Sequence, residues 1–270
     1  MTGDNEGDAT QLGCVPCEAV GSVPCDARRL EELSLNSSAP PGQLLYDGWL
    51  LRFSPGKAKR ARSINAIYPS RLPVDEKVAH CEHVYGVRGL PAIFRLSVHT
   101  DPPGLDGLLA GLGYESFSPT EVQAAAIDPA RLAGPDVATP RLEEWFDMVG
   151  DLRGSPIAHR SAHLARLAGL PLARCAVAVL EAGTPVATGL AILEDGHVGL
   201  FDVVTRESGR RRGHARTIVA ALLRWGWEQG ARQSYLQVDE GNAPAIALYR
   251  HFGFAPVYRY WYRGRPGETA

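Results

Sequence analysis

The sequence predicts an α/β protein in which helices flank a central mixed sheet and two similar halves follow one another. Three observations predict this fold. Between residues 44 and 117, stretches of alternating apolar residues and stretches with helical apolar spacing succeed each other in the order β-β-α-β-α-β. A longer version of that succession runs from residue 122 to residue 262. The composition, with 45% hydrophobic and 21% charged residues, is that of a globular chain with a buried core.

The first half is placed at residues 41–119 and begins with two strands around a Ser-Pro-Gly-Lys turn at 54–57. Acidic residues in the first turn and Gly89 at the end delimit a helix, and Gly113 ends a shorter one. The predicted elements are strands at 49–53 and 64–68, a helix at 74–88, a strand at 92–97, a helix at 105–112 and an extended segment at 114–117.

The second half is placed at residues 120–270 and contains three apolar runs separated by tight-turn sequences, which predict antiparallel strands. A long helix follows with Ile218, Val219 and Leu222 on its inner face, and Asn242 caps a shorter helix. The predicted elements are strands at 122–127, 175–180, 186–193, 198–205, 235–238 and 256–262, and helices at 140–152, 156–168, 211–230 and from 242 onward.

Residues 1–40 are predicted to be a flexible tail. They are rich in Gly, Ser, Asp and Pro and lack a sustained hydrophobic period. A short apolar stretch around Leu30, Leu33 and Leu35 is expected to make only one or two helical turns.

The charge balance argues against several partners. The 28 Lys and Arg residues face 30 Asp and Glu residues, a net charge of −2, so the chain lacks the overall basic field that holds nucleic acid or an anionic membrane. No stretch approaches the ~18 apolar residues of a membrane helix, and the acidic N-terminus does not resemble a signal peptide. A cytoplasmic location is therefore predicted.

The five cysteines do not predict a disulfide framework, because their number is odd and they are spread along the chain. Cys14, Cys17 and Cys25 could supply three thiolate ligands, but a closed zinc site needs four and no fourth ligand is near. No metal site is predicted. Cys81 and Cys175 fall on apolar segments, where a lone cysteine is usually a small buried hydrophobe, and neither is expected to be a nucleophile.

The segment with the clearest chemistry is an apolar strand at 200–205 followed by an arginine-rich helix start at 210–216. The first amides of a helix lack acceptors within it and its end is positive, so this point should hold an anion. Gly213 allows close approach, Ala215 keeps the helix start narrow, and the arginines suit phosphates, which predicts a pyrophosphate ligand. Plain solvated surface is the alternative that these residues alone leave open.

The same residues resemble the GNAT acyltransferase superfamily. Its Arg/Gln-x-x-Gly-x-Gly/Ala motif corresponds to residues 210–215. Further matches are Tyr-Leu-Gln-Val at 235–238, Asn-Ala-Pro-Ala-Ile-Ala-Leu-Tyr at 242–249 and Phe-Gly-Phe at 252–254, in the order seen in the ribosomal-protein alanine acetyltransferases. The resemblance covers residues 120–265 and identifies the chain as a GNAT N-acetyltransferase with one active domain.

The resemblance implies an acetyl-CoA site and direct attack of a neutral amine on the thioester. Backbone groups of the strand would pair with the pantetheine arm, amides at 211–216 would bind the pyrophosphate, and Asn242 would contact the arm. Tyr249 would protonate the departing thiolate, although a tyrosine on this apolar face could equally be a core residue. The implied cofactor-binding residues are Val203, Val204, Thr205, Arg210, Arg211, Arg212, Gly213, His214, Ala215, Arg216 and Asn242.

The general base departs from the family pattern. The alanine acetyltransferases carry a catalytic Glu where this chain has Gln237, and an amide cannot accept a proton at neutral pH. The nearest carboxylates are Asp202, Asp239 and Glu240, of which Asp202 is taken as the candidate, and a water relay is an equal alternative. His214 has a suitable ordinary pKa, but it lies in the phosphate loop, where only its backbone is expected to act.

The first half is interpreted as a degenerate second copy. Its loop at 68–74 has two prolines and no glycine, so it cannot build the same phosphate site, and Leu109 occupies the place of Tyr249. We expect this half to wall the acceptor cleft, as in tandem relatives of the mycothiol-synthase kind, with docking of a protein substrate as an alternative. The basic run at 57–62 is interpreted as a solvated hairpin rather than a site for an acidic acceptor or CoA phosphates.

Acceptor specificity is expected in the helices at 140–168. There Glu143, Glu144 and Trp145 either line a pocket for a cationic amine or form a helix surface with one core aromatic, and the second interpretation is favoured. The predicted function is acetyl-CoA-dependent N-acetylation of an amine by a monomer or homodimer. A non-catalytic acyl-CoA-binding module is the alternative, because Gln237 replaces a carboxylate.

Overall fold

A computed structural model describes residues 26–267 of the chain, except the side chains of residues 157–159. Seven helices and ten strands are formed by these residues. The elements up to residue 111 are α1 (Ala27–Ser37), β1 (Gly42–Tyr46), β2 (Trp49–Phe53), β3 (Ile64–Ala66), α2 (Val74–Gly86), β4 (Phe94–Ser97) and α3 (Leu105–Gly111). They are followed by β5 (Glu115–Ala126), α4 (Leu142–Arg153), α5 (Ile157–Ala168), β6 (Ala173–Glu181), β7 (Thr184–Glu194), β8 (His197–Thr205), α6 (His214–Glu228), β9 (Gln233–Asp239), α7 (Ala243–His251) and β10 (Ala255–Gly264).

All ten strands form one mixed sheet in the order β1-β2-β3-β4-β10-β5-β9-β8-β7-β6. The pairs β3–β4 and β8–β9 are parallel, and the other neighbours are antiparallel. Helices connect the parallel strands, as such crossovers require. The predicted mixed sheet flanked by helices is confirmed.

Each half ends with a strand that pairs inside the sheet of the other half. β5 follows α3 but pairs with β9, and β10 follows α7 but pairs with β4. β5 and β10 also pair with each other and join the two halves. The succession β1-β2-β3-α2-β4-α3-β5 therefore repeats as β6-β7-β8-α6-β9-α7-β10, which agrees with the predicted duplication.

The two parallel strands of the second half separate after a short stretch of pairing. β8 pairs with β9 only from His197 to Leu200, opposite Gln233 to Leu236. Helix α6 packs on β7 and β8 at close range, and Gly189 permits this, because a Cβ there would lie 2.5 Å from the Ile218 side chain. Beyond Leu200 and Leu236 the two strands are no longer paired.

Helix α1 corrects the flexible-tail prediction for residues 27–37, whereas residues 1–25 of that predicted tail lie outside the described residues. Its side chains Leu30 and Leu33 are fully buried against β5, β9 and β10. Asp26 caps the helix by accepting a hydrogen bond from the Arg28 amide at 2.9 Å. A buried ion pair between Glu31 and Arg95 of β4 fixes it further. The composition of the segment hid a helix whose stability comes from tertiary packing.

Strand β5 corrects the predicted boundary at residues 119 and 120. The sequence predicts an extended segment at 114–117 and a separate strand at 122–127, yet one strand of 12 residues covers both. Ser118 and Pro119 interrupt its alternation, and Ser118 has a positive φ of 50°. The structure also adds β1, an exposed edge strand that the apolar pattern did not predict.

The remaining general expectations concern membranes and cysteines. Among residues 26–267, no helix is long and apolar enough to cross a membrane. Cys81 is buried in the core of the first half, and burial raises the pKa of its thiol to about 12. Burial also raises the pKa of Cys175. Cys14, Cys17 and Cys25 lie outside the described residues.

Candidate active site

A cleft of about 450 Å³ opens where β8 and β9 separate. These strands and α7 form one wall, and α4 and α5 form another. A third wall comes from residues 54–60 of the first half. The cleft therefore lies at the junction of the halves, and the expectation that the first half walls it is confirmed.

A β-bulge distorts β8 inside this cleft. Asp202 and Val203 together oppose the single residue Gly189 of β7, and Asp202 has a positive φ of 49°. Val204 and Thr205 rejoin the pairing with β7, while their other edge faces the gap toward β9. The predicted pantetheine-binding residues Val203, Val204 and Thr205 thus present an open strand edge.

The open edge leads to the predicted phosphate loop at residues 210–213, which runs into α6. Arg211 and Gly213 have positive φ values of 63° and 86°. Alternating backbone conformations of this kind turn successive N–H groups toward one point. The first amides of α6 lack an acceptor within the helix, and Thr217 is the first to bond to the Gly213 carbonyl, at 3.1 Å. This donor set fits a pyrophosphate.

Two side chains of the loop face Glu181 at the end of β6. Arg212 Nη2 lies 2.8 Å and His214 Nε2 lies 3.2 Å from Glu181 Oε1. His214 does not line the cleft, which agrees with the expectation that only its backbone acts. Arg210, Arg211 and Arg216 are exposed, and Ala215 is half-buried at the narrow helix start.

Helix α7 contributes Tyr249 and Asn242 to the cleft. Tyr249 is buried, and burial raises its pKa to about 12, so the phenol keeps its proton at neutral pH. The Asn242 side chain caps α7 by accepting a hydrogen bond from the Ala245 amide at 3.2 Å. This cap places Asn242 at the mouth of the gap between β8 and β9.

Asp202 lies in the cleft among basic groups. Its Oδ1 is 2.7 Å from Arg153 Nη2, and its Oδ2 is 3.4 Å from His163 Nε2. Burial by itself would raise the pKa of Asp202, but Arg153 and the more distant Arg166 and Arg60 outweigh it and hold that pKa below its ordinary value. The carboxylate is therefore ionised and already paired.

His163 of α5 is a functional candidate that the sequence prediction missed. Burial is the main reason that its pKa falls to about 4; Asp202 opposes this shift, and Arg166 and Arg153 add to it. The imidazole is therefore neutral at pH 7. Its spacing from Arg160 and Arg166, three residues on each side, is the only sequence sign of a polar stripe on α5.

Gln237 occupies the cleft as a hydrogen-bond acceptor. Its Oε1 accepts from Arg60 Nη1 at 2.8 Å and from the Tyr260 hydroxyl at 2.9 Å. Two other carboxylates were considered as the base. Asp239 lines the cleft. Glu240 does not line the cleft and is paired with Arg259.

The basic run at 57–62 is not the solvated hairpin that the sequence predicts, because part of it faces the cleft. Lys57 and Arg60 line the cleft. The run includes a 3₁₀ turn at Lys59–Ala61, and buried Arg52 donates to the Arg60 carbonyl at 2.9 Å. The turn carries the Arg60 side chain to Gln237 in the other half, a contact that no local pattern predicts.

The first half cannot bind a cofactor in the same way. In its loop before α2, the Asp47 carboxylate accepts hydrogen bonds from the amides of Arg71 and Leu72 and pairs with Lys77 at 3.2 Å. A carboxylate of the protein thus occupies the anion-binding position. Leu109 is fully buried in the core, as expected of a residue without a catalytic role.

The acidic residues of α4 take no part in the cleft. Glu143 and Glu144 lie in the first turn of α4 and Trp145 is fully buried beside Phe146. None of the three lines the cleft, so the interpretation as a helix surface with one core aromatic is confirmed.

Comparison with known proteins finds a family model and a curated relative that are similar to the chain around this site. Residues 142–254 match the acetyltransferase (GNAT) family. Over 249 residues the chain is 29% identical to the uncharacterized N-acetyltransferase YobR of Bacillus subtilis (strain 168), with 88% of this chain and 98% of YobR covered. The second half therefore matches the GNAT family model. Both matches support acyltransferase activity of the N-acetyltransferase class.

Solved GNAT structures share the fold of both halves. A GCN5-related N-acetyltransferase from Kribbella flavida is 18% identical, with a TM-score of 0.66 over 91% of this chain and 97% of that one. A tandem GNAT protein from the clavulanic acid biosynthesis pathway is 15% identical, with a TM-score of 0.57 over 89% and 88%. The extent of these similarities supports a tandem GNAT architecture.

Proposed function

We propose that the protein transfers an acetyl group from acetyl-CoA to a primary amine of a small molecule or peptide. The observation that carries the proposal is the arrangement along β8. The bulge at Asp202 and Val203 lies in the cleft, and the open edge beyond it leads to the anion-binding loop. An acyl thioester on an extended arm that ends in a pyrophosphate matches this order of sites.

The residues that would hold acetyl-CoA are the open edge, the loop and the start of α7. The backbone of Val203, Val204 and Thr205 would bind the pantetheine arm, and amides at 211–216 would bind the pyrophosphate. Arg210 and its neighbours add positive charge, and Asn242 would contact the arm. When bound, acetyl-CoA supplies an acetyl group activated as a thioester.

The residues of the cleft supply the two proton transfers that this chemistry needs. Neutral His163 accepts the proton that the amine loses, and the ionised Asp202 at 3.4 Å stabilises the resulting imidazolium. Asp202 is the less available proton acceptor because Arg153 is already paired with it. Tyr249 holds its proton until the sulfur departs and then donates it.

The alternative of a non-catalytic acyl-CoA-binding module is weaker. It is motivated by Gln237, which lacks the carboxylate expected at that position. His163 lies in the same cleft and is neutral, so an absent carboxylate at 237 does not leave the site without a proton acceptor.

A thiol-release assay tests the proposed function. The protein is incubated with acetyl-CoA and a panel of amines, amino acids and peptides, and free thiol and acetylated amine are both measured. We expect thiol release that depends on the amine and equals the acetylated product. Binding of acetyl-CoA without release from any amine would favour the regulatory alternative.

A further inference from the structure

The acceptor side of the cleft carries an excess of positive charge. Its lining includes five basic side chains and two acidic ones, with His163 neutral. The basic residues are Lys57, Arg60, Arg153, Arg160 and Arg166, and the acidic residues are Asp202 and Asp239.

Two of the arginines are already neutralised by carboxylates of the chain. Arg153 pairs with Asp202 at 2.7 Å. Arg160 pairs with Asp151 at 2.9 Å and also donates to the Ser155 carbonyl at 2.8 Å. Their charges therefore belong to the protein's own structure.

Arg60 and Arg166 differ, because the polar groups that they touch are neutral. Arg60 donates to Gln237 Oε1 at 2.8 Å, and Arg166 donates to the Ser37 carbonyl at 3.1 Å. Within residues 26–267, neither forms an ion pair with a carboxylate at 4.0 Å or less. Burial lowers the pKa of Arg166 to about 10, with Asp202 opposing and Arg60 adding to the shift, so Arg166 remains charged at neutral pH.

Asp202 can balance only one of the three arginines that interact with it. Positive charge that stays unbalanced in a partly buried site is costly, and a ligand anion would offset that cost. The phosphates of acetyl-CoA do not meet this need. Their predicted loop at 210–216 contributes no residue to the cleft, whereas Arg60 comes from the first half and Arg166 from α5.

We propose that the acceptor carries an anionic group, a carboxylate or a phosphate, in addition to its amine, and that Arg60 and Arg166 bind this group. The inference rests on the proposed function, since it names the class of amine accepted. Guanidinium groups suit both anions because they donate two parallel hydrogen bonds. The cleft therefore fits an amine that also carries a negative charge, such as an amino acid.

The first test compares ligands that differ only in charge. N-acetyl amino acids are titrated calorimetrically against their carboxamides, and phosphoethanolamine against ethanolamine, with the wild-type protein. One charge-assisted contact should lower the Kd of the anionic member of each pair by roughly tenfold or more. Preference in the first set identifies a carboxylate acceptor, and preference in the second identifies a phosphate. Equal binding within all pairs, or no binding of any anionic member, would overturn the proposal.

The second test uses variants. Arg60→Gln and Arg166→Gln should each reduce the preference by roughly tenfold while acetyl-CoA affinity stays unchanged. Arg224→Gln is the matched control, because Arg224 lies on α6 outside the cleft. A preference kept in both cleft variants would contradict the assignment of these residues.

The two proposals can fail separately. Amine-dependent thiol release without preference for anionic acceptors would overturn only the acceptor class. Anion preference with no acetyl-CoA binding would instead overturn the proposed function.

Discussion

At the residue scale, burial and neighbouring charges decide where protons reside in the cleft. Asp202 is ionised because three arginines surround it. His163 is neutral because it is buried near the same three arginines. Burial raises the pKa of Tyr249 further above neutral pH, so its hydroxyl keeps its proton. One base, one acid and one fixed negative charge are therefore ready at neutral pH.

The role of His163 is tested by His163→Gln, which keeps a polar side chain but removes the proton acceptor. We expect kcat to fall by about 100-fold or more, since general-base catalysis contributes at least that factor, with the Kd for acetyl-CoA unchanged. His197→Gln, outside the cleft, is the control. Steady-state kinetics in which His163→Gln matches the wild type would remove His163 from the mechanism.

The role of Tyr249 is tested by Tyr249→Phe. The ring would still pack against Phe254, so folding and acetyl-CoA affinity should be retained. Loss of the hydroxyl should lower turnover by roughly 100-fold, because the thiolate would leave without a proton donor. Unchanged turnover in the thiol-release assay would assign Tyr249 to the core alone.

The shifted pKa of His163 also predicts a pH effect on stability. Its ordinary value of 6.5 falls to about 4 in the folded chain, so the unfolded chain binds a proton more readily as pH decreases. His163 therefore contributes stability above pH 6.5 that is lost as pH falls toward 4, up to about 3 kcal/mol. Denaturant unfolding should show the wild type losing this stability relative to His163→Gln. A difference between the two that stays constant from pH 7 to pH 4 would contradict the shift.

At the scale of elements, α1 is a structural part of the sheet junction rather than a tail. Leu33→Ala removes a fully buried side chain packed among tyrosines of the sheet and should cost about 2–5 kcal/mol in the free energy of unfolding. Glu32→Ala, on the partly exposed side of the same helix, should cost about 0.5 kcal/mol or less. Equal small effects in denaturant titrations would restore the flexible-tail interpretation.

The loops before α2 and α6 have equivalent positions in the two halves, but only the loop before α6 is proposed to bind a ligand anion. The loop at 210–213 has Gly213 with a positive φ and exposed arginines. The loop before α2 instead binds Asp47, and hydrogen bonds from Leu72 and Arg71 lower the pKa of that carboxylate. The loop of the degenerate half therefore still binds an anion, but that anion is the Asp47 carboxylate of the chain itself.

Much of the second half could be predicted from the sequence, because its strands are apolar, its turns are tight and its motifs are local. The loop at 210–216, Tyr249 and Asp202 were proposed as site residues from such local motifs, and Tyr249 and Asp202 do line the cleft. Arg60, His163 and Arg166 could not be, because they enter the cleft through contacts between distant segments. The pairing of β5 with β9 was hidden for a similar reason, since alternation shows which residues form a strand but not which strand is its neighbour.

At the scale of the whole molecule, β5 and β10 each pair with a strand of the other half and so join both halves in one sheet. The two halves contribute different parts of the cleft. The second half provides the open edge and the anion-binding loop. The first half provides Arg60 and part of the cleft wall. Acetyl donor and acceptor are therefore expected to meet at a junction that neither half forms alone.

The second half is expected to bind acetyl-CoA and the first half is not, and calorimetric titration with acetyl-CoA tests this difference most directly. We expect one site per chain, lost in Gly213→Glu, whose carboxylate repels the pyrophosphate and whose side chain disfavours the positive φ of 86°. Leu72→Glu, at the equivalent loop of the first half, should bind as the wild type does. Absence of binding, two sites per chain, or full binding by Gly213→Glu would contradict the account.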